Sequence, residues 1–215
     1  MTVTGSVGAY PLKWSRTLNT RALTGGWLGT GGGWTHSYQW SLVVASPPPY
    51  PPPDPPYEGP DATVSYPDSR KVDFYWDAAG SAFSTADGPA GVLHRLTNLG
   101  NSNYDLTLGD GGKVQFRRTA YIGANGLTAY GPIAQAIVDP HGQSTALQRD
   151  PYGRLIKVIE PGGRYLQINY VTYGSGGRID NVQAFSRAGV LTATETETVR
   201  YSYTSIRVIT LRPSA

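Results

Sequence analysis

The chain has no cysteine among its 215 residues. Disulfides, thiolate nucleophiles and thiolate metal sites are therefore excluded. Charge is scarce as well. Asp, Glu, Lys and Arg make up 15% of the chain, well under the usual quarter, so an extended solvated helical surface is not expected. The net charge is +3, but the 18 Lys and Arg are scattered without a block of five like charges. A nucleic-acid-binding patch is not expected from such a distribution. No apolar run approaches the roughly 18 residues of a membrane span. Met1-Thr2-Val3-Thr4 has neither the basic region nor the apolar stretch of a signal peptide. The expectation is a segment of a longer chain, without a cleaved leader of its own. Helical periodicity is also nearly missing. The best apolar run at that spacing, Ile133 to Val138, is rich in β-branched residues and favours a strand.

What is present suits an all-β fold. There are 15 Tyr and 5 Trp, enough large side chains to build a core, and 27 Gly with 17 Pro to supply turns. Val72-Asp73-Phe74-Tyr75-Trp76 reads as a strand before an Asp-Ala-Ala-Gly turn. Tyr104 to Leu108 alternates polar and apolar residues, Gly109-Asp110-Gly111-Gly112 turns, and Val114-Gln115-Phe116 resumes the alternation. That pattern predicts a hairpin. Residues 46–60 (SPPPYPPPDPPYEGP) differ, because serial prolines favour polyproline II and cannot join a ladder. They read as an extended surface loop between strands, or as a ligand for a proline-recognising domain.

The second half repeats. Asp139-Pro140-His141-Gly142 recurs as Asp150-Pro151-Tyr152-Gly153 and as Glu160-Pro161-Gly162-Gly163, at offsets of 11 and 10 residues. Proline presets φ at the second turn position, the acid can accept from the turn backbone, and glycine closes the turn. Between the turns Leu155, Lys157 and Ile159 are expected on one face and Ile156 and Val158 on the other. Tyr165, Gln167 and Asn169 alternate likewise with Leu166, Ile168 and Tyr170. Gly177-Arg178-Ile179 restarts the pattern, and Val199 to Tyr203 resembles its end. The result is a β-meander built by repetition, an open or sandwich-like antiparallel sheet.

Asp150, Gly153, Arg154 and Leu155, followed by Gly163, Arg164 and Tyr170, resemble the YD repeat, Tyr-Asp-x-x-Gly-Arg-Leu with a later Gly-Arg and Tyr. Arg149 stands where that repeat has its first Tyr. Pro11 to Thr20 resembles the opening motif of the Rhs family, and Gly31-Gly32-Gly33-Trp34-Thr35-His36-Ser37-Tyr38 resembles its Gly-x-Gly-Trp-x-His-Ser-Tyr motif. The resemblance covers most of the chain except the proline insert. It implies a spiral of antiparallel strands that winds into a hollow shell around a C-terminal polymorphic toxin, or acts at a bacterial cell surface. This chain would be the family's N-terminal β-domain (1–130) plus a truncated repeat array (131–215), exported or surface-borne with its parent. The partners so implied are the rest of the shell and its toxin cargo.

Chemistry is weighed against that structural reading. His36 is either a catalytic base or metal ligand, or a structural histidine beside Trp34 and Tyr38. His94 and His141 have no partner motif, and three separated His without Cys speak against metal. A glycosidase needs two carboxyls roughly 5 to 9 Å apart, but Asp77, Asp110, Asp139 and Asp150 are expected to serve turns. No Gly-x-Ser-x-Gly elbow occurs. Asp150-Pro151-Tyr152-Gly153 approaches an autoproteolytic pattern of Rhs proteins, yet Arg154 interrupts it, and it reads as a repeat turn. The expectation is a non-catalytic module without cofactor or metal. Its structural motif residues are Trp34, His36, Tyr38, Asp150, Gly153, Arg154, Gly163 and Tyr170. Two alternatives remain: a carbohydrate-binding or adhesion module using exposed aromatics, and a β-fold hydrolase. Open edge strands would also favour self-association.

Overall fold

The computed structural model describes residues 2–3, 7–18, 34–45, 59–77, 82–85, 95–123, 125–173, 176–187 and 199–201. Within them the chain is all-β. Strands β1 (Arg16–Leu18) and β2 (Trp34–His36) form a small antiparallel ladder. The other strands form one sheet of 13 in strict chain order. They are β3 (Ser41–Val44), β4 (Ala62–Ser65), β5 (Lys71–Asp77), β6 (Ala82–Ser84), β7 (Arg95–Asn98), β8 (Tyr104–Thr107), β9 (Lys113–Ile122), β10 (Thr128–Val138), β11 (Ser144–Arg149), β12 (Leu155–Ile159), β13 (Tyr165–Tyr173), β14 (Gly176–Phe185) and β15 (Val199–Arg200). Every neighbouring pair is antiparallel, so the expected meander is present. The sheet curls until β3 lies near β10, yet its end strands do not pair into a closed barrel. Strand β10 runs across residue 130, and one continuous core serves both halves of the chain. No described helix is long and apolar enough to cross a membrane.

Alternation puts one face of the sheet inside. Leu96, Leu106, Val114 and Ile137 pair in succession across β7 to β10, all buried. Tyr104, Phe116 and Ala134 form the adjacent buried row. Each large apolar side chain so removed from water contributes about 1.5–3 kcal/mol, which is why the register does not slip by one residue. The predicted hairpin is β8–β9, and the apolar run 133–138 lies in β10.

The alternation expected in β12 needs correcting. Arg149 pairs with Leu155 and Gln148 with Lys157, leaving Ile156 as an extra residue in a bulge. The bulge shifts the phase, so Leu155 and Val158 are both buried, three positions apart.

The repeated turns share one geometry. Asp139 and Gln143, Asp150 and Arg154, and Glu160 and Arg164 close three-residue loops through backbone hydrogen bonds. The closing glycines Gly142, Gly153 and Gly163 have φ of 82°, 77° and 86°, the left-handed conformation that completes a type I turn with a bulge. The same loop joins Leu108 to Gly112 and Tyr66 to Arg70, with Ser69 in the glycine's place at φ 66°. The turn of Asp77 and the proline-rich stretch 46–58 lie outside what is described of side chains and backbone respectively.

The N-terminus forms a hairpin of its own. Thr2 bridges Lys13, and the Val3 N–H donates to the Leu12 carbonyl. Val3, Leu12 and Trp14 are buried in the common core. The tip, residues 7–10, lies across the turns at one rim of the sheet. The Val7 N–H donates to Glu160 Oε2, the Ala9 N–H to Asp139 Oδ2, and the Tyr10 hydroxyl to Asp110 Oδ2. Each acid uses its other oxygen at home: Asp139 Oδ1 accepts from His141 and Gln143, Asp110 Oδ1 from Gly112, and Glu160 Oε1 pairs with Arg164. A side chain at Gly112 would collide with the Tyr10 ring.

Candidate functional site

Strand β2 and the segment after it place the Trp34–Tyr38 motif between the N-terminal hairpin and the curled sheet. The His36 ring is buried and stacks on Trp14, centroids 4.6 Å apart and planes 18° apart. Its Nδ1 accepts the Tyr38 N–H at 3.3 Å. Burial, with the positive charge of Arg149 adding to it, pushes the imidazole pKa down to about 3. His36 is therefore a neutral packing group at pH 7. Tyr38 is buried too, and its hydroxyl accepts the Lys13 N–H. Burial lifts its pKa to about 12.

Trp34, His36 and Tyr38 line a cavity of about 530 Å³ with residues from distant parts of the chain. Trp40, Tyr66 and Lys71 come from the first strands and the turn after β4, Tyr121 and Ile133 from the β9–β10 hairpin, and Arg149, Tyr152 and Gly153 from β11 and its turn. Arg149 enters because β11 ends there. Its Nε donates to the Ala134 carbonyl and its Nη1 to the Gly153 carbonyl. Burial pulls its pKa below that of a free guanidinium. No described Asp or Glu lines the cavity.

The remaining motif residues form a second group at the β11–β12 turn. Asp150 Oδ1 accepts from the Tyr152 and Arg154 N–H groups, and Oδ2 pairs with the Arg154 guanidinium at 2.6 Å. That guanidinium lies 4.7 Å from the Tyr170 ring and 5.2 Å from the Tyr152 ring. The Tyr170 hydroxyl donates to the Leu155 carbonyl. Gly177 on β14 leaves room for Arg154, where a Cβ would collide. Gly163 closes the next turn against Arg187 rather than joining this group. The eight motif residues thus divide: Trp34, His36, Tyr38 and Gly153 meet at the cavity, Asp150, Arg154 and Tyr170 form a cation–aromatic clamp beside it, and Gly163 stands apart.

His141 lies on an exposed turn, and His94 falls outside the described residues. Among the described residues no group of three or more His, Asp or Glu is arranged to hold a metal ion. The sequence pattern passed over Arg149, which with Lys71 makes the cavity's described lining cationic. Its signal in the sequence was an arginine next to the acid that opens an acid-Pro-x-Gly turn. Trp14 and Tyr10 were also missed as partners of His36 and Asp110, because those contacts join residues 22 and 100 positions apart.

A family model described as a domain of unknown function, DUF6531, matches residues 4–74. That span runs from the N-terminal hairpin into β5 and includes the Trp34–Tyr38 motif. No curated protein matches the chain.

Proposed function

We propose that the chain is a non-catalytic structural module, the N-terminal part of a Rhs/YD-repeat shell that encloses a toxin or acts at a cell surface. The observation that carries this reading is the N-terminal hairpin (residues 2–3 and 7–14) laid over one rim of a single meander. Its tip takes three turn carboxylates, and its apolar residues fill the curled sheet from that end. A sheet that grows by one strand per turn can be extended by more repeats, and a hairpin fixed at one rim can close it. The conspicuous acids support the non-catalytic part of the reading, because Asp110, Asp139, Asp150 and Glu160 already serve turns. Export with the parent chain follows from the same resemblance.

Electron microscopy of the longer parent chain tests this directly. Further strands should continue from β15 around an enclosed space, with residues 2–14 at one end. A sheet that stops at β15 with solvent on both faces overturns the proposal. Sedimentation of the isolated chain is a second check, since an end strand such as β3 favours edge-to-edge pairing. A strict monomer at high concentration would count against that association.

A further inference from the structure

We propose that the cavity at the Trp34–Tyr38 motif binds a carboxylated pyranose, a sugar acid of the hexuronate class. Its volume of about 530 Å³ falls in the range of small-ligand sites. Six Trp and Tyr side chains contribute to its walls: Trp34, Tyr38, Trp40, Tyr66, Tyr121 and Tyr152. Flat aromatic surface suits the C–H face of a sugar ring, and Tyr152 is over half exposed at 54%, open to an incoming ligand.

Charge selects the acid. Arg149 and Lys71 line the cavity, and no described carboxylate does. The nearest acid in sequence, Asp150, is engaged by Arg154. None of the described ion pairs includes Arg149; its guanidinium donates to two backbone carbonyls, and Asp150 acts on it only through space while bonded to Arg154. A partly buried cation without an ion-pair partner is the electrostatic complement of a carboxylate. Two polar atoms of the lining residues add to this. Gln39 Oε1 and Trp40 Nε1 are closed to solvent and have no hydrogen-bond partner. One is an acceptor and the other a donor. A hydroxyl can satisfy either, so a polyol relieves both when the wall adjusts around it. The site goes beyond the shell reading and stands independently of it.

Calorimetry and saturation-transfer NMR on the full chain test the proposal, with D-glucuronate and D-glucose as probes. Glucuronate should bind saturably, and glucose, the same ring without the carboxylate, roughly tenfold more weakly. Lys71→Gln and Tyr152→Ala, both at exposed positions, should weaken glucuronate binding at unchanged Tm. Trp40→Phe keeps a ring but removes the unpartnered N–H. It should weaken binding while leaving Tm unchanged or raised, which a structural role for that N–H would not allow. The proposal is overturned if neither sugar binds, if both bind equally, or if all three variants bind like the parent.

Discussion

His36 is an imidazole that folding holds neutral, and the consequence can be measured. Its pKa falls from 6.5 to about 3 on folding. Above pH 6.5 the ring is neutral in both states, and its contribution to stability is constant. As the pH drops from 6.5 toward 3 the unfolded chain takes up a proton that the native one refuses, so stability is lost through that window, at a slope approaching about 1.4 kcal/mol per pH unit. Urea unfolding at pH 7.5, 6 and 5 should show this fall, and His36→Phe should flatten it. Equal slopes in the two proteins would refute the assignment. Asp139 acts at lower pH. Hydrogen bonds from the N–H groups of Ala9 above all, and of Gln143 and His141, hold its carboxyl below the usual range. Its folded pKa being the lower one, its contribution is present at neutral pH and lost as the pH falls below about 4. Asp139→Asn should lower the urea midpoint at pH 7 and shrink the acid dependence below pH 4. The sequence announced Asp139 as a turn residue, but its bond to Ala9, 130 positions away, had no local signature.

At the scale of the element, the acid-Pro-x-Gly loops are where the sequence spoke most clearly. Proline, acid and glycine each act on their own few bonds of backbone, so pattern alone located the turns after β10, β11 and β12. Gly142 isolates the glycine's role. Its φ is 82°, and a Cβ there would meet nothing within 4 Å. Gly142→Ala should cost about 1–2 kcal/mol through backbone strain alone, read as a lower midpoint in chemical denaturation at an unchanged m-value. Gly163→Ala should cost more, because a Cβ there also meets the Arg187 side chain at 3.0 Å. Equal costs would show that the Arg187 contact yields freely. The strand β12 shows the limit of pattern reading. Its residues alternate as if one phase ran straight through, but a bulge at Ile156 resets the face. A bulge belongs to a pair of strands, and the residues of one strand do not declare it.

For the whole molecule, the N-terminal hairpin is the piece whose removal says most. Trp14 is fully enclosed, stacks on His36 and donates its indole N–H to the Tyr201 hydroxyl beyond β15. It therefore ties the first residues to the last described ones through the middle of the core. Trp14→Ala should destabilise by about 3–5 kcal/mol, as measured by thermal or urea unfolding. Deleting residues 1–14 should also expose the sheet's inner face, seen as strong binding of a hydrophobic dye. A truncated chain that unfolds like the parent and binds no dye would show that the hairpin is only an attachment.

The sequence by itself determined the all-β class, the β8–β9 hairpin, and the repeated turns of the second half with the strands between them. Alternation with a period of two, β-branched and aromatic residues, and proline and glycine at fixed turn positions are all local causes with local effects. It also singled out Trp34, His36 and Tyr38, though not what they face. Only the tertiary structure decided that the sheet curls, that the N-terminal hairpin (residues 2–3 and 7–14) lies over its rim, and that Arg149 meets the aromatic motif across a cavity lined by no described acid. Those outcomes depend on packing between residues 20 to more than 180 apart in the chain, as from Trp14 to His36 and to Tyr201. Such contacts are selected by the burial of one continuous apolar face, a property of the whole sheet and not of any stretch of it.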